Sequence, residues 1–123
     1  MPRIALELPP SEDAPGRARE AARVALRELP EEDRWRAELI VTELVTNAVL
    51  HGPGGPVEIQ LDYGGSGVRG QVGDPGPGIE RRRARDVPRP DGGRGVALVA
   101  MLADGWGLVA DHSRVWFEIA TAA

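Results

Sequence analysis

Hydrophobic and polar residues alternate along short stretches of this chain, and apolar residues recur at helical spacing along longer ones. Alternation is typical of a β-strand with one buried face, whereas recurrence every three or four residues is typical of an amphipathic helix. Strands are predicted at residues 4–8, 57–61, 68–72, 106–109 and 115–119. A hairpin loop at Tyr63–Gly67 is predicted to join the second strand to the third.

Three helices are predicted, over about residues 14–29, 32–50 and 95–103. Ser11 or Asp13 is suited to cap the first of them. The element order β-α-α-β-β-α-β-β predicts an α+β fold, a two-layer α/β sandwich in which a mixed, mostly antiparallel sheet packs on about three helices. A length of 123 residues predicts a single domain over residues 1–123.

Composition excludes several classes of chemistry. The chain has no cysteine, which excludes disulfides and thiolate sites, and every basic residue is arginine, which excludes a Schiff base and a Walker-type phosphate loop. The net charge of −4 argues against direct nucleic-acid binding. The first residues lack the apolar run of a signal peptide, and no apolar stretch is long enough for a membrane span. We therefore expect a cytoplasmic protein that does not contact a membrane.

The second predicted helix carries three polar residues at four-residue spacing, Glu43, Asn47 and His51, among apolar neighbours. Residues four apart lie on one face of a helix, so the three form a ladder. Either the ladder bonds to itself and to nearby backbone, or it lines a cleft. In a cleft, the Asn47 amide oxygen could bind a hard cation such as Mg²⁺, and the Glu43 carboxylate could accept a proton. His51 is expected to be a structural residue at the helix end.

A glycine-rich turn follows the third predicted strand, with Asp74, Gly76 and Gly78 separated by prolines. Glycine permits close approach of the backbone to a ligand, and the Asp74 carboxylate can accept a hydrogen bond from an exocyclic amine such as that of adenine. The alternative is a turn with a surface aspartate, because Asp and Gly are ordinary turn residues.

A second glycine-rich segment contains Gly93, Arg94 and Gly95 and opens the third predicted helix. Free amide groups at a helix N-terminus bind anions such as phosphate, and Arg94 could add a charge-assisted contact. The alternative is a flexible connection before a core helix. The arginines between residues 81 and 89 indicate a loop, in which a solvated charge run is favoured over phosphate contacts.

Together, Glu43–Val49, Asp74–Gly78 and Gly92–Gly95 resemble the N, G1 and G2 boxes of the GHKL ATPases, the superfamily of gyrase, histidine kinases and MutL. Within it, the chain resembles the small single-domain anti-sigma factor serine/threonine kinases of bacteria. The resemblance implies the Bergerat type of α/β sandwich. Two departures are Val96, where leucine is frequent, and Asp111–Ser113, where a glycine followed by threonine is common.

The resemblance also implies roles for the residues of the three boxes. Asn47 would coordinate Mg²⁺, Asp74 would bind the adenine amine, the turn at Gly93–Gly95 would hold phosphates, and Glu43 would be the general base. The implied cofactors are ATP and Mg²⁺. The implied partners are an anti-sigma factor antagonist of the STAS type, a sigma factor, or both, and a homodimer is left open. The alternative function is a non-catalytic ATP-binding anti-sigma or sensor protein that sequesters its partner.

Overall fold

The computed structural model describes residues 3–51, 54–73, 94–109 and 114–121 of the chain. Its elements, in chain order, are β1 (Arg3–Leu8), α1 (Ala14–Ala25), α2 (Glu31–His51), β2 (Val57–Gly64), β3 (Gly67–Gly73), α3 (Arg94–Leu102), β4 (Gly105–Leu108) and β5 (Arg114–Ala120). This order and type of elements are as the sequence predicts. None of the described helices is long and apolar enough to cross a membrane.

The five strands form one sheet in the order β1-β2-β3-β5-β4. The sequence predicts a mixed, mostly antiparallel sheet, and all four pairings between the described strands are antiparallel. The chain makes hairpins from β2 to β3 and from β4 to β5, and β5 inserts between β3 and β4. The helices pack on one face of the sheet, so the α+β two-layer sandwich is confirmed.

The core forms where the inner face of the sheet meets α1 and α2. The inner face is apolar because alternate residues of each strand point to it. Full burial of one such aliphatic or aromatic side chain contributes about 1.5–3 kcal/mol. Strand residues buried in this layer are Leu8, Val57, Ile59, Leu61, Val68, Val72, Val115, Phe117 and Ile119, and they face Ala14, Ala18, Ala22 and Leu26 of the α1 region and Ala37, Ile40, Val41, Leu44 and Val45 of α2.

The start of α1 differs in detail from the predicted cap. Asp13 occupies the N-cap position, but its side chain makes no capping hydrogen bond to the helix. Instead, the Ser11 hydroxyl donates to Asp13 Oδ1 at 2.5 Å, and this bond lowers the pKa of the Asp13 carboxyl. Pro15 in the first turn fixes the backbone angle there without needing an N–H partner.

The β2–β3 hairpin is tighter than the predicted loop at Tyr63–Gly67. Strand pairing continues to Gly64 opposite Gly67, which leaves a two-residue turn. Gly67 has a φ of 137°, a value that L side chains rarely adopt, and a Cβ there would lie 2.0 Å from the Ile119 carbonyl oxygen. The loop prediction was therefore too long, because glycine at this position lets the backbone turn without a longer connection.

Gly70 of β3 lies between the side chains of Leu61 and Phe117, the residues that pair with it on the two neighbouring strands. A Cβ at Gly70 would lie 2.5 Å from Phe117 Cζ and 2.9 Å from Leu61 Cδ2, both fully buried side chains. We therefore expect Gly70→Ala to lower the free energy of unfolding by about 1–3 kcal/mol through overpacking. Urea unfolding measures this loss. The control Gly65→Ala meets no atom within 4 Å and should stay within about 0.5 kcal/mol of the wild type.

Candidate functional site

One flank of α2 carries both of the polar residues that the sequence singles out on this helix. Glu43 and Asn47 are half-buried there, one helical turn apart. Arg36 lies two turns before Glu43, and at about 100° per residue the three side chains fall within about 40° of one another. Since Arg36 Nη1 donates to the carbonyl oxygen of Leu102 at 2.9 Å, this flank faces α3.

The opposite flank of α2 faces α1. There Glu38 accepts from Arg19 Nε of α1 at 3.3 Å and lies 3.5 Å from Arg34 Nε. Glu38 and Asp33 are the buried charged side chains among the described residues. The helix is not buried all round, since Leu50 is 68% exposed. The reason is that the sheet and two short helices cover only part of a 21-residue helix.

Glu43 and Asn47 take no part in the hydrogen bonds and ion pairs formed among the described residues. The threonines of the same helix do: Thr42 Oγ1 donates to the Glu38 carbonyl oxygen at 2.6 Å, and Thr46 Oγ1 donates to that of Thr42 at 2.7 Å. The interpretation in which the ladder bonds to itself therefore finds no support among these contacts. A half-buried carboxylate and amide that have no partner among the described residues are suited to bind a ligand.

The start of α3 points towards these two side chains. Its last residue, Leu102, lies at Arg36 near the beginning of α2, and α3 packs along α2. A helix of nine residues places its first residue about 12 Å from its last, which corresponds to about eight residues along α2. The first turn of α3 therefore lies near the level of Glu43 and Asn47.

Arg36 fixes the far end of α3. Besides the bond to Leu102, its Nη2 lies 3.3 Å from Asp33 Oδ1 and 3.8 Å from Asp104 Oδ2. Asp104 Oδ2 in turn accepts from the backbone N–H of Ala120 at 2.6 Å. One guanidinium thus joins the first half of α2, the end of α3 and the turn into β4, so that the position of α3 against the Glu43 flank is determined.

The end of β3 lies at the same end of the molecule as the C-terminus of α2. His51, exposed at the end of α2, precedes Val57, where β2 begins, by six residues along the chain. Gly73, the last residue of β3, pairs with Glu58 on one side and with Arg114 on the other. Asp74, the next residue along the chain after Gly73, lies outside the described residues.

An ion pair crosses β3 at Gly73, on the outer face of the sheet. Arg114 Nη2 donates to Glu58 Oε1 at 2.5 Å, and both side chains are mostly buried. The two residues belong to strands on either side of β3, and they can meet because Gly73 has no side chain between them. This pair ties the start of β2 and the start of β5 together across the end of β3.

The structure therefore describes part of the predicted site. The structure brings Glu43 and Asn47 together on one flank and places the backbone of Arg94 and Gly95 at the start of α3. Asp74, Gly76, Gly78 and Gly93 lie outside the described residues, as do the arginines between 81 and 89 and the segment Asp111–Ser113. Sequence reasoning missed Arg36, Arg114 and Glu58. Of these, only Arg36 could have been found from the sequence, because it lies seven residues before Glu43 and therefore on the same face of the predicted helix.

The visible groups offer oxygen atoms of the type that Mg²⁺ prefers. Among the described residues there is no cluster of three or more His, Cys, Asp or Glu side chains that could hold a metal by themselves. Mg²⁺ in nucleotide sites is typically held by one or two protein oxygens, with water and substrate phosphates completing its shell. Asn47 carries an amide oxygen of this type, and the Glu43 carboxylate lies one helical turn away on the same flank.

Comparisons with known proteins agree with this geometry. A family model described as a histidine kinase-like ATPase domain matches residues 8–117. Among solved structures, the chain is similar to the RsbU and RsbW domains of Rv1364c from Mycobacterium tuberculosis, with a TM-score of 0.70 and 19% sequence identity over 98% of this chain. The chain spans 32% of that protein, and at this identity the likeness shows a shared fold. No curated protein matches the sequence.

Proposed function

The chain belongs to the histidine kinase-like ATPase domain family, and from that premise we propose that it is a cytoplasmic protein-serine/threonine kinase that uses ATP and Mg²⁺. Its proposed substrate is an anti-sigma factor antagonist of the STAS type. The observation that carries this proposal is the pair Glu43 and Asn47, half-buried and without partners among the described residues, beside the start of α3. The RsbW domain named in the structural neighbour supports the anti-sigma branch.

In this proposal each group has one task. Asn47 gives its amide oxygen to Mg²⁺, and Asp74 accepts a hydrogen bond from the adenine amine. The amides of the Gly93–Gly95 turn and the Arg94 guanidinium hold phosphate oxygens at the start of α3. Gly76 and Gly78 let the backbone of their turn approach the nucleotide. Arg36 and the Arg114–Glu58 pair position these groups without contacting the nucleotide.

The proposed chemical step is transfer of the γ-phosphoryl group to a hydroxyl of the partner protein. The Glu43 carboxylate accepts the hydroxyl proton while the hydroxyl oxygen forms a bond to the γ-phosphorus. The bond from that phosphorus to the bridging oxygen breaks, and ADP leaves with the electron pair. Phosphoryl transfer requires mainly positioning and charge stabilisation, which explains why few catalytic side chains suffice.

The adenine assignment is tested by Asp74→Asn. A hydrogen bond to a charged group contributes about 1.5–3 kcal/mol, so we expect a loss of ATP affinity of about 10- to 150-fold. Isothermal titration with ATP and Mg²⁺ measures this loss. The matched control is Asp62→Asn, which removes a carboxylate from the outer face of the sheet and should leave ATP affinity unchanged.

Wild-type specificity completes this test. A carboxylate that accepts from the exocyclic amine of adenine discriminates against guanine, which carries a carbonyl oxygen at that position. We therefore expect GTP to bind much more weakly than ATP. Equal affinity for the two nucleotides, or an Asp74→Asn variant that binds ATP like the wild type, would refute the role of Asp74.

A further inference from the structure

The C-terminal end of α3 is held by polar contacts from two other elements. The last carbonyl groups of a helix have no N–H partner within it, and Arg36 of α2 donates to one of them, the carbonyl oxygen of Leu102. Just after the helix, the backbone N–H of Asp104 donates to the Glu118 carbonyl oxygen of β5 at 2.9 Å. The Asp104 carboxylate accepts from the backbone of Ala120 in the same strand. The end of α3 is therefore fixed between α2 and β5.

The guanidinium of Arg36 is suited to this position. A cation near the C-terminus of a helix is favoured by the helix dipole. The planar fork of arginine lets one nitrogen bind Leu102 while the other faces the Asp33 carboxylate at 3.3 Å. The Arg36 side chain is 23% exposed and that of Asp33 is 9% exposed, so both are largely removed from water. Asp33 thereby orients Arg36 towards α3.

The contact at Leu102 determines the direction of the whole helix. Val99, fully buried in the core, holds the middle of α3. The middle and one end of a helix together define its axis, so loss of the contact at Leu102 would allow α3 to tilt about Val99. A tilt of about 10° would move the first residue of α3, about 7.5 Å from Val99, by about 1 Å. Arg36 therefore controls the position of the first turn from the opposite end of the helix.

Such a displacement would affect one part of the proposed nucleotide site. In that site, backbone amides at the start of α3 hold phosphate oxygens, beside Asn47 and Glu43 of α2. Arg36 lies on the same flank of α2 as these two residues and contacts α3 directly. It therefore sets the separation between the amides of α3 and the side chains of α2. Adenine is assigned to Asp74, so a tilt of α3 would weaken the phosphate contacts and leave the adenine contact unchanged.

Stability alone does not explain the contacts of Arg36. Its Nε–H is buried and has no hydrogen-bond partner among the described residues, which is unfavourable in a folded protein. Replacement of a buried ion pair by apolar residues of similar volume is often neutral or stabilising. A charged group that adds little to the stability of the fold, at the point that sets the direction of α3, is better explained by a role in positioning that helix.

We propose that Arg36 is a positioning residue for the phosphate chain of the nucleotide. It holds the end of α3 so that the first turn of this helix faces Asn47 and Glu43, and it does not contact the nucleotide itself. The proposal rests on the proposed nucleotide site and adds which part of the nucleotide Arg36 governs. Affinity for ATP, with its three phosphates, depends on Arg36, whereas affinity for AMP depends on it little.

Arg36→Met tests the proposal, because methionine fills a similar space without a charge. We expect the affinity for ATP with Mg²⁺ to fall by at least about tenfold, since a misplacement of about 1 Å can have effects of about 100-fold in enzyme sites. Affinity for AMP should stay within about twofold of the wild type, as expected for groups that act independently. Arg36→Lys keeps the charge and a donor for Leu102, so it should recover part of the ATP affinity. Displacement of a bound fluorescent ATP analogue measures both nucleotides.

The matched control is Arg34→Met. Arg34 lies on the same helix, its side chain is 25% exposed, and it pairs with the buried Glu38 on the flank that faces α1 instead of α3. This variant should lose about as much thermal stability as Arg36→Met and keep the wild-type ratio of ATP to AMP affinity. If Arg36→Met does not fold by circular dichroism, the double variant Arg36→Met with Asp33→Asn is measured instead, because it leaves no unpaired buried carboxylate.

The outcomes separate this proposal from the proposed function. If the wild type binds ATP and Arg36→Met binds it equally well, Arg36 has no part in the site. Equal losses for ATP and AMP, or the same change of their affinity ratio in Arg34→Met, would show that Arg36 has a structural role only. Both results overturn the positioning role and leave the nucleotide site intact. A wild type that binds no ATP would refute the nucleotide site itself, and the role of Arg36 with it.

Discussion

The variant Glu43→Gln is expected to bind ATP within a few-fold of the wild type and yet to transfer phosphate about 10²–10⁴-fold more slowly. Glutamine keeps the shape of the side chain but removes the charge that accepts a proton. Because Glu43 is half-buried on the flank beside α3 and has no ion pair among the described residues, its replacement should not disturb the fold. The measurements are ATP affinity by calorimetry and transfer of labelled phosphate to a STAS-type protein.

The control for this experiment is Glu32→Gln, an exposed residue in the first turn of the same helix. It should change neither ATP affinity nor the rate of transfer. A Glu43→Gln variant that transfers phosphate at the wild-type rate would remove Glu43 from the mechanism. A wild type that binds ATP tightly and transfers phosphate to no cognate partner would instead favour the non-catalytic anti-sigma or sensor function.

The second large effect is expected for Asn47→Ala, which removes the proposed Mg²⁺ ligand. Loss of an outer-shell partner of a metal site already costs about 10–100-fold in metal affinity, so loss of a direct ligand should lower Mg²⁺-dependent ATP affinity by more than about 100-fold. Titration of ATP with and without Mg²⁺ separates the metal-dependent part of binding. In the absence of Mg²⁺ the variant and the wild type should bind ATP similarly.

Thr46→Ala is the matched control, because Thr46 is the adjacent residue and, among the described residues, its hydroxyl bonds only within α2. Its ATP affinity should remain that of the wild type at every Mg²⁺ concentration. Thermal unfolding followed by circular dichroism tells whether Asn47 has a structural role instead. If Asn47→Ala unfolds the domain, or if it loses affinity equally with and without Mg²⁺, the assignment of Asn47 as a metal ligand is wrong.

Local patterns were sufficient to predict most elements of this fold. The alternation at residues 4–8 and 57–61 corresponds to β1 and β2, and the predicted helix at residues 32–50 corresponds to α2. These predictions succeeded because one face of each element is buried, and burial on one side gives the sequence its period. The order of strands in the sheet could not be predicted in this way, because the position of β5 depends on pairings with Gly67–Gly73 far away in the chain.

For the candidate site, too, the local spacing of residues could be predicted and the long-range contacts could not. The sequence was sufficient to predict that Glu43 and Asn47 share one face, since a helix puts residues four apart side by side. It was not sufficient to predict that this face packs against α3, because that packing depends on the bond from Arg36 to Leu102, 66 residues away. The ion pair between Glu58 and Arg114 spans 56 residues and has no local signature. Long-range polar contacts of this kind follow from the packed structure and not from a period in the sequence.

The insertion of β5 between β3 and β4 has a consequence for how the domain is made on the ribosome. β4 pairs only with β5 among the described strands, and β3 gains its second neighbour only from β5. The middle of the sheet therefore cannot close before Ala120 has left the exit tunnel. Until then the nascent chain exposes the edge of β3 and the apolar face meant for Phe117. Such non-local closure slows folding, and a stalled or shortened chain would present an aggregation-prone strand to chaperones.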